Sequence, residues 1–289
     1  MSDMPTVLWL IETAERALSA ASVPNPRGDA TELAAHVLGV EVARLDPGAE
    51  IQEEQAELHK ELVAKRADRV PLGYLTGRMH LGGIEVAVAP GVFVPRVHSE
   101  LVLAHGAQAL RAVTTPLVVD LCTGSGAIAL AMAHTRPDAR VHAVELDPSA
   151  LEWARFNAAR RAEAGDTPIQ LHAGDATDPE LLAELDGQVD LIMANPPFVP
   201  DGVQLLPEYG KFHPERAIFS GSDGLDVIRG VVPVAGRLLR GGGTLVIEHG
   251  HFHQETVPEL LQSSGQFMEI ADYCDQDRRP LYATARRAR

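Results

Sequence analysis

The chain has 289 residues, 45% of them hydrophobic, with a formal charge of −15 and only two cysteines, Cys122 and Cys274. At about 100–200 residues per domain this length holds one large or two smaller domains. The acidic balance argues against a surface that grips a nucleic-acid backbone. Widely separated cysteines without a CxxC pair argue against a disulfide framework or zinc site and fit a reducing cytosol. No apolar run reaches the roughly 18 residues needed to span a bilayer, and the acid-containing opening "MSDMPTVLWLIETAERALSA" does not read as a secretory signal.

In chain order, "TVLWLIETAERALSAA" predicts a helix with Val7, Leu8, Leu10, Ile11, Ala14 and Leu18 on one stripe. Asp29 is the expected cap of a second helix, "ATELAAHVLGV", and a third amphipathic helix is expected from about Gln52 to Arg66. In "RMHLGGIEVAVAPGVFVP", Gly82-Gly83 between two short apolar stretches predicts a β-hairpin. From about residue 98 strands and helices alternate. The strands are "PLVVDL", "ARVHAVEL", "PIQLHAGD", "DLIMA" and "GGTLVIEHG", with helices "AIALAMAH", "PSALEWARFNAARRAE", "LDVIRGVVPVAGRLL" and "HQETVPELLQSSG". Such alternation implies an α/β fold, a parallel sheet with helices on both faces. The last segment, "FMEIADYCDQDRRPLYATAR", reads as two strands making an antiparallel edge.

Ligands of open α/β sheets bind beyond the carboxyl ends of the strands, and four features fall there. "CTGSG" places Gly124 and Gly126 between a strand and its helix, where backbone can approach a ligand and the helix start offers free N–H groups. Tight strand–helix turns also use glycine without any ligand. The dinucleotide fingerprint asks for a third glycine where this chain has Ala129, which counts against NAD. Glu145 ends the second strand, where a carboxylate can accept the two hydroxyls of a ribose; Asp147, just before Pro148, suits the helix cap better and leaves Glu145 for a ligand. Asp175, in "AGD", can receive the exocyclic amine of an adenine. The three together describe a pocket for an adenosine with a tail that needs no phosphate contacts.

The fourth feature is "NPPF", residues 195–198. Two prolines fix two φ angles and remove two donors, so they hold Asn195 rigidly beside an aromatic ring. This suits methyl transfer from a sulfonium to a planar nitrogen. Such a nitrogen is a poor nucleophile because its lone pair is delocalised. Asn195 Oδ1 and the Pro196 carbonyl can accept its N–H bonds, and Phe198 can stack on the flat group.

"NPPF", "DLCTGSGAIALA" and "AVELDPSALEWARFNA" resemble the class I S-adenosylmethionine-dependent methyltransferases, whose sheet is Rossmann-like. Along nearly its whole length the chain is similar to the peptide chain release factor glutamine methyltransferases. "RVPLGYLTGRMHLGGIEVAVAPGVFVPRVHSELV", "RAIFSGSDGLDVIRG", "LVIEHG" and "DYCDQDRRPLYATAR" carry the likeness beyond the site. The resemblance implies a helical substrate-recognition domain over 1–75, a β-hairpin linker over 76–97 and a cofactor-binding catalytic domain over 98–289. It implies a soluble cytoplasmic enzyme, expected as a monomer, that methylates N5 of the glutamine in a release factor's Gly-Gly-Gln tip without a metal. Asn195, Pro196, Pro197 and Phe198 would form the catalytic motif. Cys122, Thr123, Gly124, Ser125 and Gly126 would cradle the methionyl end of S-adenosylmethionine, Glu145 its ribose, and Asp175 with Ala176 its adenine, with Asn195 also beside the cofactor.

Four positions depart from the family pattern: Phe198 for tyrosine, Cys122 for glycine, Val97 for a second proline and His213 for glutamate. The competing functions are an adenine N6 methyltransferase, since that amine poses the same chemical problem, and a non-catalytic cofactor-binding protein. His249, His251 and His253 alternate along a strand end and are read as surface residues near a helix start. Cys122 is read as a packing residue rather than a nucleophile.

Overall fold

The computed structural model describes residues 5–289. The chain forms two compact units. One holds residues up to 78 together with 205–212, and the other holds 79–204 and 213–289. Residues 205–212, which fall inside the expected catalytic span, therefore belong to the helical unit.

In that unit, α1 (Val7–Ala20), α2 (Pro26–Leu38) and α3 (Glu53–Ala67) pack around Val7, Leu10, Ile11, Leu18, Leu33 and Leu62. Leu8, expected on the buried stripe, is exposed. It follows Val7 by about 100° of helical turn, which takes it off the face that repeats at three and four residues. Asp29 does not cap α2. Asn25 does, accepting from the Gly28 N–H at 3.3 Å with Pro26 in the first turn, and Asp29 is buried inside the helix. Asn followed by Pro is the stronger start, because the side chain satisfies a free donor and the ring has none to lose. The short helix α4 (Leu72–Thr76) completes the N-terminal part.

The hairpin joins β1 (Arg78–Leu81) to β2 (Ile84–Ala87) through Gly82 and Gly83, with φ +57° and +78°. Two consecutive left-handed residues make the turn whose twist matches paired strands, and glycine adopts it without steric cost. After α5 (Ser99–Ala109), strand β3 (Leu117–Leu121), α6 (Ala127–Thr135), β4 (Arg140–Glu145), α7 (Pro148–Glu163), β5 (Gln170–Ala173) and β6 (Val189–Ala194) follow. Helix α8 (Pro207–Gly210) lies in the segment belonging to the helical unit. Helix α9 (Asp226–Leu238), β7 (Leu239–Glu248), α10 (Thr256–Ser263), β8 (Phe267–Cys274) and β9 (Pro280–Arg287) complete the chain.

Seven strands form one sheet in the order β5-β4-β3-β6-β7-β9-β8. The first five in sequence, β3 to β7, are parallel; β9 is antiparallel to β7, and β8 is the antiparallel edge. This is the α/β sheet with an antiparallel edge that the alternating pattern predicts. Successive residues feed opposite faces: Leu191 and Met193 of β6 join the layer with α5 and α6, and Ile192 and Ala194 join the layer with α9 and α10. Both faces are thus dry, which explains why the parallel strands read as continuous apolar runs. Among the described residues no helix is long and apolar enough to cross a membrane.

Candidate active site

Strand order reverses at β3. The chain runs outward through β4 and β5 on one side and through β6 and β7 on the other, so the crevice for a ligand lies beyond the carboxyl ends of β3 and β6. Register brings the candidate residues there. Leu121 is paired with Val144 and with Ala194, and Ala194 with Ile247. The next residue on each strand is therefore Cys122, Glu145, Asn195 and Glu248, side by side along one edge. Sequence alone singled out the first three. Glu248 carries no signal in isolation, because only the register of β7 puts it beside Asn195.

The glycine loop leaves β3 in a left-handed turn at Cys122, φ +60°, with Gly124 at +58° and Gly126 at +84°. A side chain at Gly124 would meet nothing within 4 Å, so open space lies over the loop. Gly126 instead packs closely, with Leu130 and Ala154 in reach of an added Cβ. Thr123 N–H bonds to the Val144 carbonyl at 3.0 Å, and its hydroxyl donates to Asp120 Oδ2 at 2.5 Å. Ser125 is buried, and its Oγ has no protein partner. Asn157, on α7, donates to the Ser125 carbonyl at 3.0 Å and pairs with the backbone of Ala87 at 2.8 and 2.9 Å. One buried amide thus ties the loop to the hairpin, a role with no motif to announce it.

Glu145 is less available than expected. Its Oε2 accepts from the Gly124 N–H and its Oε1 from the Asp147 N–H, both at 2.8 Å. Each oxygen keeps a second lone pair for a ligand. Asp147 caps α7 as predicted, bonded to Ser149 N–H at 2.8 Å. Asp175 is exposed, and its Oδ1 closes a turn onto Thr177 N–H and hydroxyl at 2.8 and 2.7 Å, while neighbouring Ala176 is buried.

Four carboxylates ring this edge: Asp120, Glu145, Asp175 and Glu248. Burial pushes the Asp120 carboxyl up to about 7, against the Thr123 hydrogen bond, with the charges of Glu145 and Glu248 raising it further. Burial also raises Glu145, opposed by its backbone N–H donors. Asp120 Oδ1 and Glu248 Oε2 are buried without a protein partner. The donor set is therefore rich in negative charge and free acceptor atoms. It suits a ligand that carries positive charge and N–H or O–H donors, and S-adenosylmethionine carries a sulfonium, an ammonium and ribose hydroxyls. Burial, followed by the charges of Glu145, Asp120 and Asp175, pushes the Cys122 thiol up, so it stays protonated and packs rather than attacks.

The Asn195–Phe198 stretch leaves β6 with Asn195 N–H bonded to the Leu121 carbonyl at 3.3 Å, which ties the motif to the root of the glycine loop. Val199 then pairs with residues 218–220: its N–H reaches the Ile218 carbonyl at 2.8 Å, and its carbonyl receives Ser220 N–H at 2.9 Å. Pro196 is buried, and Pro197 and Phe198 are half-buried. The Arg96 guanidinium lies 5.3 Å from the Phe198 ring centroid and 3.8 Å from Glu248, whose Oε1 also accepts from Ser99 at 3.0 Å. A guanidinium at this distance over a ring face makes a cation–π contact. Arg96 and Ser99, in the Pro-Arg-containing turn and the helix after it, meet Glu248 only through the fold.

The histidines expected at the surface divide. His249 and His253 are buried, the first on Asp272 at 2.7 Å and the second on the Asp223 carbonyl at 2.9 Å, while His251 is exposed. Residues 251–253 form a 3-10 turn, so the alternation that would align three rings on a strand face is lost. Among the described residues no three or more His, Cys, Asp or Glu side chains are grouped so that they could hold a metal ion.

Residues 10–77 match the family model described as the PrmC N-terminal domain, and residues 84–206 match the Methyltransferase small domain. The chain is 44% identical over 277 residues to a release factor glutamine methyltransferase of Mycolicibacterium smegmatis, covering 96% of each. It is 43% identical over 291 residues to a protein of the same description from Streptomyces coelicolor, covering 99% of each. Among solved structures, the T. thermophilus 16S rRNA N2 G1207 methyltransferase aligns with a TM-score of 0.52 at 24% identity, covering 73% of this chain and 50% of that one; this likeness speaks for the fold alone. With identity above two-fifths running through both the helical unit and the sheet, the chain belongs to the release factor glutamine methyltransferase family.

Proposed function

We propose that this protein transfers a methyl group from S-adenosylmethionine to N5 of a glutamine side chain in a peptide chain release factor. The observation that carries the reading is the sheet register that sets the glycine loop after β3 and Asn195 after β6 side by side at the switch point. Its support from outside the chain is the shared description of relatives that match it end to end.

When bound, S-adenosylmethionine supplies a methyl carbon on a positively charged sulfur. Residues 122–126 hold the methionyl end, Glu145 accepts ribose hydroxyls, and Asp175 with Ala176 receives the adenine. Asn195 Oδ1 and the Pro196 carbonyl accept the two amide N–H bonds of the acceptor, which aims the nitrogen's remaining lobe and raises its electron density. Pro197 limits the backbone behind them, and Phe198 packs on the amide plane. The N–CH3 bond would form as the methyl–sulfur bond breaks, leaving a neutral thioether, and the nitrogen would give up one proton to water. The N-terminal helical unit takes part in recognising the protein that carries the glutamine.

The test uses tritiated S-adenosylmethionine and the cognate release factors, wild type and with the Gln of Gly-Gly-Gln changed to Ala. Label on the wild type alone is expected. Equal label on both moves the site elsewhere in the protein. Label on neither, but on RNA, favours the adenine reading.

A further inference from the structure

Arg96 opens the turn into α5. Its carbonyl accepts the Ser99 N–H at 3.0 Å, and the Ser99 hydroxyl, fully buried, donates to Glu248 Oε1 at 3.0 Å. Glu248 ends β7 and is itself 0% exposed. A carboxylate taken wholly out of water needs donors and opposite charge. The Arg96 guanidinium supplies the charge. Its Nη2 lies 3.8 Å from Glu248 Oε1, and its Cζ lies 5.3 Å from the centroid of the Phe198 ring. Arg96, Ser99, Phe198 and Glu248 all belong to the sheet unit.

The inward donors of this arginine are unspent. Arginine and carboxylate often meet through two parallel bonds of about 2.7–2.9 Å. Within the helical unit, Arg69, at φ +70°, holds Glu208 in that way, with Nε and Nη2 both at 2.6 Å, and Arg66 adds its Nη2 at 3.0 Å. Arg96 does not hold Glu248 so. Its Nε and Nη2 are buried and hydrogen-bonded to no protein atom, as is Glu248 Oε2. Buried donors without a partner are costly, so each calls for one. Glu248 thus holds the cation by charge, and the N–H groups on Nε and Nη2 are left for an acceptor from outside the chain.

The amide that receives the methyl has one polar atom to spare. Asn195 Oδ1 and the Pro196 carbonyl take its two N–H bonds, and Phe198 takes its flat face. The amide's carbonyl oxygen keeps two lone pairs that need a donor. A flat group laid on Phe198 is a neighbour of the guanidinium over that ring. We infer that Arg96 is a specificity-determining residue for a primary carboxamide: its Nε–H and Nη2–H donate to the carbonyl oxygen of the glutamine side chain, and Glu248 and Ser99 are positioning residues that keep it there. This inference rests on the reading given under Proposed function. A donor on the oxygen draws electron density away from the nitrogen, so the contact serves binding and orientation rather than the chemical step. It acts on KM for the protein substrate and leaves cofactor binding alone.

Two measurements on the full-length protein test it. Initial rates with tritiated S-adenosylmethionine and intact release factor compare wild type with Arg96→Met and Arg96→Lys, and calorimetry gives cofactor affinity. Arg96→Met is expected to raise KM for the release factor by about tenfold or more, with kcat within about threefold and cofactor affinity within about twofold of wild type. Arg96→Lys keeps the charge without the fork of donors and should recover part of the loss. The second measurement sees the contact itself. Release factor carrying glutamine with carbon-13 at its side-chain carbonyl is bound to the enzyme together with S-adenosylhomocysteine. The Gly-Gly-Gln resonance is assigned by its loss when that Gln is changed to Ala. It should move downfield on binding to wild type and stay near its free position with Arg96→Met. A wild-type complex in which the resonance does not move overturns the inference whatever the variants do. So does a wild-type KM in Arg96→Met. A raised KM with the resonance still displaced in Arg96→Met also overturns it, leaving the arginine to pack on Phe198. A wild-type protein that leaves the release factor unlabelled overturns the function itself, a result distinct from labelled release factor whose carbonyl resonance is unmoved.

Discussion

A methyl group added at Gly224 would lie 2.3 Å from the carbonyl oxygen of Phe198 and 2.9 Å from the nitrogen of Pro200. Gly224 also holds φ +77°, so a side chain is disfavoured twice, by backbone conformation and by collision with rigid main chain. The Asn195–Phe198 stretch is therefore shaped from beneath by a residue outside the motif. Gly224→Ala is expected to lower kcat by about 100-fold, the scale of an ångström-size misplacement of a reacting group. Cofactor affinity should hold, because the glycine loop is untouched. Calorimetry together with initial rates checks the split.

Glu145 has two tasks at once, and its removal should show both. Glu145→Ala leaves the N–H groups of Gly124 and Asp147 without their acceptor. Charge-assisted bonds of this type are worth about 1.5–3 kcal/mol each, so cofactor affinity should fall by at least about tenfold. Faster amide hydrogen exchange at residues 122–126 should accompany the loss. Weaker binding with unchanged exchange would mean that Glu145 acts on the ligand alone.

Asp120 predicts a pH dependence. Its folded value is raised to about 7 from the ordinary 3.8. Between those values the folded state holds the proton more tightly than the unfolded one, so this group's contribution to stability falls as pH rises from about 4 to about 7 and is level above. Asp120→Asn should flatten that part of a melting-temperature profile. A cationic ligand favours the ionised carboxylate, so S-adenosylmethionine should bind more tightly as pH rises through 7 and should release protons on binding. Calorimetry in two buffers of different ionisation enthalpy reads the proton count.

Cys122 stands in a conformation that favours glycine, φ +60°. Cys122→Gly should raise stability by up to about 1 kcal/mol and preserve cofactor binding, since the strain relieved exceeds what the small side chain packs. Its half-buried thiol, whose pKa is pushed up, should alkylate more slowly than that of the exposed Cys274, which peptide mass spectrometry after brief iodoacetamide treatment would resolve.

Local chemistry was written legibly in this chain. Alternation of apolar runs with amphipathic stretches determined the parallel sheet and its two helical layers, because a strand covered on both faces must be apolar throughout. Gly82-Gly83, Asp147-Pro148 and the Asn195–Phe198 stretch each announced a turn, a cap or a rigid polar group through the φ angles and donors those residues permit. Where a local reading failed, a stronger neighbour had won. Asn25-Pro26 took the helix start from Asp29, and a 3-10 turn broke the period that aligned the histidines.

Only the tertiary structure decided what stands beside what. Glu248 meets Ser99, and its carboxylate approaches Arg96, through strand register and helix packing between residues far apart in sequence. Asn157 closes on both Ala87 and Ser125 for the same reason. Glu208 leaves the sheet's stretch of chain to join the helical unit, where two arginines and a strained backbone hold it. Side-chain periodicity and turn residues act over a few positions and can be read locally. Pairing of buried charges depends on the register and packing of whole elements, and no short segment carries that information.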